Sequence, residues 1–109
     1  MRVLIASLVI IAGLAPAQGQ RTFSGVITDD MCAAGDHSRM RMGPSNHECT
    51  IACVDAHGAA FVLYDGKLVY GLSDQKTPEK FAGKNVTVMG VVNATTRMIQ
   101  VESIVESTK

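Results

Sequence analysis

The sequence predicts a small, mainly β domain, a five-stranded barrel with a cysteine-rich helical insertion between its first two strands. Three observations carry that prediction. Short apolar segments alternate with polar residues at a period of two. Gly, Asn and Asp turn signals separate them. All three cysteines and all three histidines of the 109-residue chain fall between positions 31 and 57, inside a stretch that does not alternate.

The chain opens with Arg2, an apolar run over residues 3–14 broken by a single serine, and then Ala15-Pro16-Ala17 before Gln18-Gly19-Gln20. That is the pattern of a secretory signal peptide with an Ala-x-Ala cleavage site, and a run of about a dozen residues is shorter than the roughly 20 a membrane span needs. Residues 1–17 are therefore expected to be a leader and 18–109 one mature domain, periplasmic or extracellular, without stable membrane insertion. Without Arg2 the mature chain carries nine Lys and Arg against ten Asp and Glu. Lys67, Lys76, Lys80, Lys84 and Arg97 form no run, which argues against nucleic acid and anionic lipid as partners and leaves a metal ion or another protein. A domain of this size has a thin core, so a covalent or metal staple is expected to help it.

Residues 21–28 alternate Phe23, Gly25 and Ile27 against Thr22, Ser24 and Thr28, as a half-buried strand does, and Gly25 permits a bulge or sharp coil. The insertion runs from 30 to 58. In it, Ser45-x-x-Glu48 reads as a capping box and Gly58 as a stop, giving a helix over 46–57. Residues 61–64 and 67–72 flank Asp65-Gly66, which favours a type I′ hairpin because both central residues need positive φ. Thr77-Pro78 starts a short helix, threonine as cap, that ends at Gly83. Val86 and Val88 alternate with Thr87 and Met89 in a fourth strand. Residues 93–96 turn, and 98–105 form a fifth strand with Ile99 and Val101 inward. Five strands with a helix between the third and fourth is the order of the OB-fold, a small Greek-key barrel.

Phe23-x-Gly25-x-Ile27-x-Asp29-x-x-Cys32, then Cys49-x-x-x-Cys53, then Phe81-Ala82-Gly83-Lys84-x-Val86-x-Val88-x-Gly90 resembles a family of uncharacterised secreted bacterial OB-fold-like domains with three cysteines. The resemblance covers most of the mature chain. It implies the fold and the export and carries no activity with it.

Chemistry concentrates in the insertion. At about 100° per residue, Cys49 and Cys53 lie within roughly 40° of each other on the helix, Ala52 and Ala56 lie beside them, and His57 borders the stripe. His47 projects to another side. Cys32, and His37 beyond it, approach from the preceding loop. Three readings follow. A disulfide from Cys32 to Cys49 or Cys53 would close a loop of about 20 residues, worth roughly 3 kcal/mol in the chain-entropy model. Three thiolates with His57 or His37 would hold zinc, or copper(I) if Met40 or Met42 joined. An unpaired thiol would serve a redox factor, although no Cys-x-x-Cys or adjacent arginine lowers its pKa. The spacing Cys49-x3-Cys53-x3-His57 is also similar to the core of the binuclear copper site of cytochrome oxidase subunit II, but that family's methionine three residues after the histidine is Ala60 here. Asp29 and Asp30 have the chemistry of hard ligands, yet where the first strand ends they read first as turn residues bonding nearby amides. No hydrolase, haem-attachment or nucleotide motif is present, and the chain reads as a non-enzymatic binding or structural module.

Overall fold

The computed structural model describes residues 20–32 and 45–107. The expected leader, His37, Met40 and Met42 lie outside the described residues. Strand β1 spans Gln20–Asp29 and runs into a single 3-10 turn, Asp30–Cys32; helix α1 spans Asn46–His57; β2, Phe61–Tyr64; β3, Val69–Leu72; a second 3-10 turn, Thr77–Phe81; β4, Asn85–Asn93; and β5, Met98–Glu106. The strands close into a barrel in the order β1-β2-β3-β5-β4, and β4 returns to β1. Among the described residues every strand pairing is antiparallel except the short seam between β3 and β5, and an isolated parallel bridge joins Ile27 to Ala82. No described helix is long and apolar enough to cross a membrane.

β1 serves two neighbours. Residues 20–26 pair with β4 and residues 26–29 pair with β2, so the strand changes partner around Val26. Gly25 sits at that handover, where a Cβ would press into the carbonyl of Tyr64. The absent side chain lets the two strands approach. The core holds Phe23, Ile27, Phe61, Leu63, Tyr70, Leu72, Ala82, Val86, Val88, Ile99 and Ile104, and Val101 packs against it. Phe23 and Tyr70 meet ring to ring at 5.1 Å.

Ser45 caps α1 as expected: its hydroxyl accepts from the Glu48 amide at 3.2 Å, and Gly58 ends the helix at φ 69°. The face that α1 buries differs from the expected stripe. Cys49, Thr50 and Cys53 are buried, Ile51 and Val54 pack on the core, and Ala56 and His57 are exposed. The buried set lies toward Thr50 and Val54 because the last turn, from Asp55, is exposed rather than packed on the barrel.

Three other local expectations are corrected. The hairpin between β2 and β3 pairs Tyr64 with Val69, so its loop is four residues rather than two. Gly66 takes the positive φ of 104°, but Asp65 does not. Asp65 instead accepts from the amides of Lys67 and Leu68 at 2.8 and 2.7 Å, and this local acceptor favours the wider turn. These two bonds hold the Asp65 carboxyl below its usual value of 3.8. The helix expected from Thr77 is a 3-10 turn whose N-cap position falls on Lys76, which makes no side-chain cap bond. Asp74 takes the capping work, accepting from the amides of Lys76 and Thr77. Finally, the β4–β5 register shifts between Met89 and Gly90, which pair with Ser103 and Val101 and leave Glu102 extra. The bulge puts both Ile99 and Ile104 in the core, an odd spacing that strict alternation forbids, and leaves Val101 only partly buried.

Candidate metal centre

The end of β1 is the most unusual point in the barrel. Thr28 and Asp29 are both buried there, although strand alternation would send one of them out to water. α1 packs over this end of β1 and removes the solvent face. The chain then tightens at once: Asp29 Oδ2 accepts from the amides of Met31 and Cys32, each at 3.1 Å, and Thr28 Oγ1 donates to the Cys32 carbonyl at 3.1 Å. Asp30 exchanges two bonds with Ala60, its amide donating to the Ala60 carbonyl and its carboxylate accepting from the Ala60 amide. These bonds fix the 3-10 turn and bring Cys32 back under Asp29. Asp29 takes the turn role expected of it, whereas the Asp30 carboxylate reaches across to Ala60.

Asp29 also does something the sequence reading set second. A carboxylate oxygen of Asp29 and the sulfurs of Cys32 and Cys53 all lie within 4.8 Å of one another, and all three residues are buried. Oδ1 of Asp29 has no hydrogen-bond partner among the described residues. A buried carboxylate oxygen without a donor is costly, and a metal ion is one of the few things that satisfies it. Cys49 is fully buried one helical turn before Cys53. Burial pushes the Cys53 thiol up to about 12, and the neighbouring Asp29, Cys49 and Cys32 add to the rise, Asp29 the most. A side-chain hydrogen bond between the Cys53 thiol and the Asp29 carboxylate also contributes to the rise.

No disulfide joins any of the three cysteines, so the expected staple from Cys32 to Cys49 or Cys53 is not supported. The Cys32 and Cys53 sulfurs share their surroundings with the Asp29 carboxylate, a three-donor cluster rather than a sulfur pair. His57 is exposed at the end of α1 and does not belong to the cluster. His47 lies away from it, as its helical angle implies. Its Nδ1 donates to the Ala82 carbonyl at 2.8 Å, and its ring lines an open groove of about 550 Å³ with Ile51, Lys76, Thr77, Glu79 and Lys80. The groove offers open space, but the cluster of donor atoms is where coordination chemistry is concentrated. The sequence did hold a signal for Asp29, its three-residue spacing from Cys32 at a strand end, but a strand-end aspartate is so often a turn residue that spacing alone does not separate the two roles.

No family model, curated protein or solved structure matches the chain. The class of protein defined by fold and site is a small closed β-barrel with one α-helix among the described residues and a buried thiol–carboxylate cluster.

Proposed function

We propose that this chain is an exported OB-like module that binds a soft or borderline metal ion, zinc or copper, through Asp29, Cys32 and Cys53. The carrying observation is the convergence of two thiols and a carboxylate oxygen within 4.8 Å, all on buried residues. Ligands at roughly 2.0 to 2.3 Å from one ion lie about 3.3 to 3.8 Å from each other, so small side-chain rotations bring this set onto a metal. The strand order β1-β2-β3-β5-β4 with a parallel β3–β5 seam supports the OB-like reading. The apolar run before Ala15-Pro16-Ala17 supports export, and the Gly and Cys spacings support kinship with secreted domains of this kind. A redox role for a reactive thiolate is disfavoured, because a thiol near 12 and fully buried is protonated and shielded at neutral pH.

The test is a titration of reduced, chelator-treated protein, made without a histidine tag, with Zn²⁺ and separately with Cu⁺ under a competing chelator. One ion per chain is expected, with uptake lost in Cys53→Ala and Asp29→Ala. Uptake no tighter than that of a denatured control would end the proposal.

A further inference from the structure

Three donors leave a tetrahedral ion one ligand short. The cluster is buried, so the fourth must come from inside the protein or from a trapped water. Among the described residues, Cys49 is the further thiol beside the cluster. It is fully buried on the same face of α1, one turn before Cys53, and side chains at i and i+4 on a helix have Cβ atoms about 5 to 6 Å apart. Its sulfur stands outside the trio that lies within 4.8 Å and must turn inward to complete the set, but its proximity is already felt at the Cys53 thiol.

Resting on the metal-binding reading above, we propose that Cys49 is the fourth ligand, that the ion is Zn²⁺, and that the closed Asp29-Cys32-Cys49-Cys53 site pins α1 to the end of β1. The donor chemistry selects the ion. A carboxylate oxygen among thiolates suits zinc, which accepts sulfur and oxygen together in a tetrahedron, whereas copper(I) favours an all-sulfur set. The placement selects the role. Two ligands belong to the β1 end and its 3-10 turn, two to α1, and the chain between these two pairs is long. An ion across that gap ties helix to barrel, and the unfolded chain lacks the preformed site, so its binding energy is folding energy. With four protein ligands the ion has no open position, which is the arrangement of structural zinc sites. Three thiols lose their protons on loading, so zinc uptake releases protons and no electrons move.

X-ray absorption of the zinc-loaded wild-type protein reads the ligand count without any mutation. Three sulfurs at roughly 2.3 Å and one oxygen near 2.0 Å are expected. Two sulfurs with two lighter atoms would overturn the assignment of Cys49 while leaving the metal site standing. A protein that takes up no zinc ends both readings. In parallel, Cys49→Ser should weaken zinc at least about 100-fold, more than the loss of an outer partner costs. It should also remove about a third of the thiolate-to-metal absorbance of the Co²⁺-loaded protein, one thiolate of three. Should Cys49→Ser fail to fold, the sulfur count on the wild-type chain decides alone. An unchanged affinity and spectrum in a folded Cys49→Ser protein overturns the proposal.

Discussion

At the scale of single residues, Asp29 combines two duties that substitutions can separate. One oxygen holds the amides of Met31 and Cys32, and the other has no hydrogen-bond partner among the described residues. An asparagine in its place keeps an acceptor for the amides and replaces the orphaned oxygen with a neutral group. Metal-free Asp29→Asn should therefore unfold in urea within about 1 kcal/mol of wild type, whereas Asp29→Ala strands two amides and should cost about 2 kcal/mol. Both should lose metal uptake. Cys53 gives a second test, through pH. Its folded value of about 12 lies above the ordinary 9.0, so below 9.0 the thiol is protonated in both states and its contribution is fully present. Between 9.0 and 12 the unfolded chain ionises while the folded one does not, and stability of the metal-free protein falls as pH rises. Cys53→Ala should flatten that part of the alkaline slope in denaturation midpoints. An equal slope in both proteins would show that Cys53 is not held protonated by its surroundings.

At the scale of elements, the partner change in β1 depends on Gly25. Gly25→Ala drives a methyl group into the Tyr64 carbonyl and should cost roughly 1 to 3 kcal/mol, the range for overpacking, visible as a lower thermal midpoint. Gly83→Ala faces a double penalty, with φ at 79° and a Cβ that would lie 2.8 Å from the His47 amide nitrogen. Elements were also where the sequence was most readable. The alternation of Phe23, Ile27, Val86 and Val88, the Ser45 cap and the Gly58 stop are local signals, each confined to a few neighbouring residues. The bulge at Glu102 and the buried alternation break at Thr28 and Asp29 were not readable. Both arise from pairing or packing beyond the strand itself: the first from the register with β4 across their hairpin, the second from α1, which covers the end of β1. The metal cluster was half readable for the same reason. Cys49 and Cys53 share a helix and announce themselves through spacing, but the arrival of Asp29 beside Cys53 is a tertiary event.

For the whole molecule, closure of the barrel rests unequally on its seams. β4 and β5 pair along their length, from Val86 with Glu106 to Asn93 with Met98. The β3–β5 seam aligns only Gly71 with Met98 and Leu72 with Ile99, and is bonded through the Gly71 and Ser73 amides to the Arg97 and Ile99 carbonyls. Hydrogen exchange should therefore open the Gly71 and Ser73 amides well before those in the middle of β4, since local openings follow the weakest stretch of backbone pairing. Exchange at Ser73 as slow as at Val88 would show that the barrel opens only as a unit. Ile99 anchors this seam from inside with no exposed surface. Ile99→Ala should cost about 2 to 5 kcal/mol, read as a shift of the urea midpoint.

The double pairing of β1 also sets a timetable for biosynthesis. Gln20, at the start of the strand, has its partner at Val91, while Asp29, at its end, has its partner at Phe61. A growing chain can thus form the β1–β2 corner early, but its opening residues wait until roughly seventy more have been made. Contacts so distant in sequence are slow to form, and they gate the enclosure of everything between them. The three cysteines are all synthesised before that wait ends. Their shelter is a late event in the life of the chain, and thiol labelling of ribosome-arrested chains should show Cys49 and Cys53 becoming protected only after β4 has emerged.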